Sequence, residues 1–426
     1  MPPQTKDDEQ CTEEAIQIPD WVKPEIFEDL LKQQVKNYKE TKSLRATAGV
    51  AKGENYATIM LRVELDVETE ESLCPFQDQS QITKAFMLKT PHDTDAYRKL
   101  LQKSNIFDTE RGMYMKVVPE MEQMYRDVGL EVKFGAQTYE IPATDNYVLL
   151  EDLKPQGFRN ADRLEGLDQA HTESALRKFA QWHAASAVRV DTKGPYEEQY
   201  TKGFFRSPEI VDALFNGSIK SLLKYIEHYE GRETYLKDLL SISEKFEDLA
   251  VDICEPKPDE FNALNHGDAW SNNIMFQYNE KNEILNTYFV DLQIPKWGTV
   301  AQDLYYFLIS STSLDIKTTK FDYFIWFYHS ELVKHLQLLK YTKPLPTLRG
   351  IRNDLSKYSG WGLVCCISIM GFVLLDPILD GDGGFDTILS GEDSSFKKTV
   401  FTNPRYRKHV DVVLPWLHHR GAMEYN

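Results

Sequence analysis

The segment His266-Gly267-Asp268-Ala269-Trp270-Ser271-Asn272-Asn273 constrains this chain more than any other stretch. Two short apolar runs follow it, residues 274 to 278 and 284 to 290, on either side of the polar Asn279-Glu280-Lys281-Asn282-Glu283. That texture predicts two strands joined by a turn. Folding the pair into a hairpin brings Asp291, eighteen residues after Asn273, back beside it. A carboxylate, an amide and a second carboxylate are therefore expected at one place.

An Asp in a short loop, an Asn five residues later and an Asp beyond a hairpin are the groups that phosphoryl transfer calls for. Such a reaction needs little covalent help but much positioning and charge neutralisation. Asp268 is the candidate base: it would accept a hydrogen bond from an acceptor hydroxyl and take its proton late, as the bond to phosphorus forms. Asn273 and Asp291 offer hard oxygen ligands, which suit magnesium better than any Cys or His set. His266 is read as supporting the loop through hydrogen bonds, and Gly267 as letting the backbone turn tightly beside the phosphates. A His-Gly-Asp tripeptide alone is usually only a turn. The added Asn and the strand-borne Asp make the chemical reading specific.

Further groups lie upstream. Lys89 ends the apolar strand Lys84-Ala85-Phe86-Met87-Leu88-Lys89-Thr90, where a buried charge needs a partner. Glu110, twenty-one residues on at the start of the next helix, is the expected partner, holding Lys89 toward the α- and β-phosphates. Taken singly, Lys89 would be a solvated strand end and Glu110 a helix N-terminal acid. The turn from Gly49 to Asn55, with Gly53 and Asn55 at its tip, would lay backbone N–H groups over the phosphates. It lacks GxGxxG, so a plain hairpin tip fits its residues equally well. Leu150, Glu151 and Leu153 stand at the end of a buried strand at 147 to 150 and would offer main-chain groups to adenine if this strand end is a hinge, a surface loop being the alternative. Asp303 would fix the catalytic loop by accepting backbone hydrogen bonds, with a simple helix N-terminal acid as the equal alternative. Trp270 either contacts the acceptor substrate or packs the loop, with packing slightly favoured, and His183 is read as a satisfied histidine on an apolar helix face.

At 426 residues the chain exceeds one typical core and is expected to form two lobes. Residues 1–20 are polar and acidic, a flexible tail without the basic and apolar segments of a secretory signal, so a cytoplasmic protein is expected. A helix beginning at Pro24 should pack on the outside, followed by a hairpin and then an amphipathic stretch from Phe107 to Leu130. The boundary is placed after Leu153, where a Pro/Gly stretch begins, giving lobes at 21–153 and 154–426. Beyond it the texture is helical: residues 175 to 187 should support the catalytic loop from behind, and Phe321 to Tyr328 is read as core. The longest apolar run, Trp361 to Leu375, has fifteen residues, short of the roughly 20 a membrane span needs. A buried helix is expected there. The five cysteines are odd in number without paired metal spacing and read as free thiols. The net charge of −17 repels polynucleotides and anionic membranes, so no nucleic-acid partner is expected.

Taken together, His266-Gly267-Asp268-x-Trp270-x-x-Asn273, Val290-Asp291-Leu292-Gln293, Leu149-Leu150-Glu151-Asp152-Leu153 with Gly157-Phe158, and Phe179-Ala180-Gln181-Trp182-His183-Ala184-Ala185-Ser186 resemble the insect ecdysteroid kinase-like family. That family is related to choline kinases and aminoglycoside phosphotransferases, and the resemblance spans about residues 40 to 420. Leu292 stands where the family usually has Phe, which leaves the magnesium ligand intact. The resemblance implies an α+β, two-lobed protein-kinase-like fold: a small N-terminal ATP-binding lobe with an antiparallel sheet, and a larger, mainly helical C-terminal lobe. It also implies ATP- and Mg2+-dependent phosphorylation of a hydroxyl on a small molecule. Ecdysteroids are the family's named substrates, and xenobiotic hydroxyls are admitted. No Ala-Pro-Glu follows Asp291, which argues against a protein kinase. Two other readings stay open: a catalytically silent kinase-fold binding protein, and a choline- or ethanolamine-type amino-alcohol kinase, which would need an aromatic and acidic cage. The sequence carries no signal for an oligomeric state.

Overall fold

Period-two burial along residues 59–69 organises the N-terminal half. Leu61, Val63, Leu65 and Val67 point to one face and are fully buried, while Met60, Arg62 and Glu64 point to the other. The strand belongs to an antiparallel sheet of β1 (Tyr38–Ala48), β2 (Ile59–Thr69), β3 (Gln81–Thr90), β4 (Thr138–Tyr139) and β5 (Val148–Glu151), in the order β1-β2-β3-β5-β4. This computed structural model describes residues 18–50, 58–70, 81–91, 105–143, 146–203, 211–377 and 394–424. Gly53, Asn55, Cys11, Cys74 and residues 1–17 of the tail lie outside them.

The outer face of the sheet is covered by the turn Pro24–Phe27 and the helix Glu28–Gln34. Phe27, Leu30 and Leu31 are buried there, and Phe27 stacks on Phe86 with ring centroids 6.2 Å apart. The first helix therefore lies outside the sheet, as its position suggests, and also supplies much of that small core. On the inner face, Met60, Met87 and Lys89 look into a cavity.

The amphipathic stretch forms the helix Ile106–Gly112, a wide turn at Met113–Val117 and the helix Val118–Asp127. Pro119, which has no N–H to donate back along the helix, stands two residues after the end of the wide turn. Phe107, Tyr114, Val117, Val118 and Met121 are buried, the spacing a helical period demands. They pack into the larger core of the C-terminal part rather than the sheet's outer core.

That larger core surrounds the helix Gln169–Lys193, capped by Asp168, whose side chain accepts the N–H of His171. β6 (Phe158–Arg159), β8 (Ile274–Tyr278) and β9 (Ile284–Phe289) form a three-stranded sheet, and β7 (Asn262–Asn265) pairs with β10 (Lys296–Thr299). The helix Phe321–Leu338 packs along Gln169–Lys193 and buries Phe321, Phe324, Ile325 and Tyr328, so one face of that aromatic run is core, while Tyr323 and Trp326 on the other are exposed. The run expected as a buried helix is buried and helical from Ser359 to Val373, with one wide turn at Cys365–Ile369 between Ser359–Val364 and Met370–Val373. Cys254, Cys365 and Cys366 are free thiols. The chain is thus α+β, with an antiparallel sheet in its N-terminal region and a mainly helical C-terminal part. Among the described residues, no helix is long and apolar enough to cross a membrane.

Candidate active site

The hairpin of β8 and β9 pairs Ile274 with Phe289, and the Val290 N–H then donates to the Asn273 carbonyl at 3.0 Å. Asp291 follows directly, so the two ends of the hairpin deliver Asn273 and Asp291 side by side. The loop between β7 and β8 turns sharply at Gly267, where φ is +85°. A Cβ there would sit 2.0 Å from the Ile294 carbonyl oxygen, so the close approach of the two segments requires glycine.

Asp303 braces this loop. Its carboxylate accepts the His266 N–H at 2.7 Å and the Gly267 N–H at 3.1 Å. His183 approaches the same carboxylate through Nε2 at 3.2 Å and pairs with the Tyr328 hydroxyl through Nδ1 at 2.7 Å, a fully buried and satisfied histidine. His266 accepts the Asp268 N–H on Nδ1 (3.3 Å) and donates from Nε2 to the Val290 carbonyl (3.0 Å). These two bonds tie the loop to the hairpin's end. Behind them, Trp182 donates to the Leu264 carbonyl (2.7 Å) and the Ser186 hydroxyl accepts the Leu264 N–H (3.0 Å).

Asp268 is held at both oxygens: Oδ2 accepts from Asn273 Nδ2 at 2.9 Å, and Oδ1 from the Tyr306 hydroxyl at 2.6 Å. Burial and the charge of Asp291 push its carboxyl upward, against the bond from Tyr306, the His266 ring and the bond from Asn273. Tyr306, on the helix Ala301–Ser311, was not singled out by sequence reading. Its spacing of three from Asp303 places both on one helix face, the one signal that would have found it.

Lys89 Nζ lies 2.6 Å from Glu110 Oε2, the partner its burial called for, and 2.5 Å from Asp291 Oδ1, a partner the sequence did not reveal. Burial works against the ammonium, but Asp291 and Glu110 outweigh it and hold the lysine above its ordinary value. Burial pushes the Glu110 carboxyl up, with Lys89 opposing and Asp291 adding to the push. Asp291 itself has φ 63°, a conformation a non-glycine residue keeps only when its surroundings hold it. Lys89 on Oδ1 and Gln293 Nε2 on Oδ2 (3.2 Å) do so.

At the strand end proposed as a hinge, Leu150 and Leu153 line the cavity with their side chains. The main chain is less free than expected. The Glu151 N–H donates to the Gln137 carbonyl (2.8 Å), and the Leu153 carbonyl accepts from Gln156 (3.1 Å) and Phe158 (3.3 Å). β5 lies inside the sheet, between β3 and β4, so its ladder consumes groups an edge strand would leave open. Asp152 accepts from Arg62 Nε at 2.7 Å and ties this end to β2.

Lys89, Glu110, Asp268, Asn273, Asp291, Gln293, Asp303 and Tyr306 all line one cavity of about 600 Å³. Its sheet-side wall is lined by Met60, Met87, Leu150, Leu153 and Met275, and its middle by Lys89, Glu110, Asp268, Asn273 and Asp291. Trp270 also lines it. An apolar stretch of the wall comes from two distant segments, Leu214 and Phe215, and Trp361, Ile369, Phe372 and Val373, while Arg62, Lys154, Arg159, Asn160, Lys296 and Gln302 line the cavity elsewhere. Among the described residues, no cluster of three His, Cys, Asp or Glu side chains would hold a metal unaided. Asn273 and Asp291 instead suit magnesium, which takes one or two protein oxygens and leaves the rest to phosphate and water. Asn273 turns its Nδ2 to Asp268, leaving its oxygen for such a role, and the buried Gln293 Oε1 has no hydrogen-bond partner.

Among curated proteins, none matches this chain. The sequence profile of the ecdysteroid kinase-like family matches residues 52–341, more than half of the chain, and takes in every polar group described above from Lys89 to Tyr306. The chain belongs to the ecdysteroid kinase-like family.

Proposed function

We infer that this protein transfers the γ-phosphoryl group of ATP to a hydroxyl of a small lipophilic alcohol, an ecdysteroid or a similar molecule. In this reading the fold is two-lobed and protein-kinase-like, with residues 21–153 binding nucleotide and residues 154–426 carrying the catalytic loop and the acceptor. The observation that carries it is the convergence of Asp268, Asn273, Asp291 and Lys89 on one cavity that also has an apolar stretch of wall at Leu214, Phe215, Trp361, Ile369, Phe372 and Val373. Lys89, kept charged between Glu110 and Asp291, would pair with phosphate oxygens, and Glu110 would keep it aimed. Adenine would lie against the Met60, Met87 and Met275 wall, with side chains doing most of the recognition. Asp268 would accept the hydrogen bond of the acceptor hydroxyl and take its proton as the new bond forms. Magnesium held by Asn273 and Asp291 would neutralise charge on the β- and γ-phosphates.

The apolar wall favours a lipophilic acceptor over an amino-alcohol. Among the described residues, the cavity's carboxylates are Glu110, Glu151, Asp152, Asp268, Asp291 and Asp303, and none belongs to the wall of Leu214, Phe215, Trp361 and Phe372. A quaternary cation would need one there. A silent binding protein would have no use for the full set of Lys89, Asp268, Asn273 and Asp291.

The test is phosphate transfer from ATP, with magnesium, to a panel of steroid alcohols, with choline and ethanolamine as controls. Asp268→Asn should lower kcat by about 10²- to 10⁴-fold while ATP binding stays nearly intact. Equal turnover by wild type and variant would remove the mechanism.

A further inference from the structure

One helical turn holds three successive residues of the catalytic loop. Asp303 and Tyr306 leave the same face of the helix Ala301–Ser311. Asp303 takes the N–H groups of His266 and Gly267, and Tyr306 reaches the next residue, its phenol donating to Asp268 Oδ1 at 2.6 Å. Asn273 donates to the other oxygen at 2.9 Å. Tyr306 lines the cavity and is 8% exposed. A buried phenol needs an acceptor, and a main-chain carbonyl satisfies that need for its neighbour Tyr305, which donates to Leu355 at 2.7 Å. For Tyr306 the acceptor is instead the carboxylate read as the proton acceptor.

We propose that Tyr306 is a positioning residue: its hydroxyl fixes the rotation of the Asp268 carboxylate, so that the lone pairs left over by Tyr306 and Asn273 meet the acceptor hydroxyl. The inference rests on the phosphotransfer reading above. Without the phenol, Asp268 keeps a donor on one oxygen only and turns about its Cβ–Cγ bond. A carboxylate misplaced by ~1 Å costs on the order of a hundredfold in rate. Asp303 acts on the backbone of the loop, Asn273 joins Asp268 to the phosphate side, and Tyr306 reaches Asp268 from the helical side.

The experiment places Tyr306→Phe, which keeps the ring, in the wild-type and Asp268→Asn backgrounds. It measures kcat, KM for ATP and for the alcohol, and Tm. In the wild type, kcat should fall about 10- to 100-fold, with both KM values and Tm unchanged. In the Asp268→Asn background the further loss should largely vanish, because the hydroxyl acts through that carboxylate. Wild-type kcat in Tyr306→Phe, or the same fold-loss in both backgrounds, overturns the proposal and leaves the phosphotransfer reading standing. A wild type that phosphorylates no alcohol overturns that reading, and this inference with it.

Discussion

Gly267 has no freedom to be anything else: at φ +85°, a Cβ would lie 2.0 Å from the Ile294 carbonyl oxygen. Gly267→Ala should destabilise the protein by about 1–3 kcal/mol from backbone strain alone, more if Ile294 cannot yield. It should also lower activity by displacing Asp268. Urea denaturation alongside the transfer assay checks this, and a variant matching wild type in both would show that the loop tolerates the clash. Lys89 makes a different case. Lys89→Met would leave Glu110 and Asp291 facing each other without their cation, at a cost of about 3–5 kcal/mol. Nucleotide binding, followed by calorimetry, should fall with it; undiminished binding would detach Lys89 from the phosphates. The Lys89 and Glu110 pair was legible in the sequence because a charge on an apolar strand demands a partner. Asp291 as the second partner was not, since it lies 202 residues away and no local pattern links the two.

At the scale of elements, the contact between Gln169–Lys193 and Phe321–Leu338 carries an acid-sensitive group. His335 is 3% exposed and neither ring nitrogen has a hydrogen-bond partner. Burial pulls it down to about 4, with Lys334, Lys178 and Arg177 adding to the effect and Glu331 opposing. The folded value lies below the unfolded one of about 6.5, so the unfolded chain takes up the proton first. Stability should therefore be full above pH 6.5 and fall as pH drops toward 4, by up to about 3 kcal/mol from this residue. His409, pulled down to about 3, acts with the same sign. His335→Leu should flatten the fall in urea midpoint between pH 7 and pH 5; an unchanged slope would place the acid sensitivity elsewhere. The helices and the hairpin were readable because their periods of 3.6 and 2 repeat over many residues. The wide turns at Met113–Val117 and Cys365–Ile369 were not, because one extra residue per turn barely disturbs the pattern. Two-residue strands such as β4 and β6 are too short to carry a period.

For the whole molecule, the sequence boundary and the division of the cores do not coincide. Residues 106 to 136 precede the boundary at Leu153, yet Met113, Tyr114, Val117, Met121 and Tyr125 are buried in the core around Gln169–Lys193. Residues 1–153 made alone should therefore fail to fold cooperatively, since those side chains would be stripped of their cover. A sharp thermal transition by circular dichroism would show that the fragment stands by itself. The sequence alone determined the longer strands and helices, the loop that carries Asp268 and Asn273, and the return of Asp291, because each follows from periodicity or turn chemistry acting over a few residues. The tertiary structure alone decided that Lys89 meets Asp291, that Tyr306 donates to Asp268, and that Leu214, Phe215, Trp361, Ile369, Phe372 and Val373 bring apolar side chains to the same cavity. Those contacts depend on how elements far apart in the chain pack against one another, a property of the assembled core that no short stretch of residues encodes.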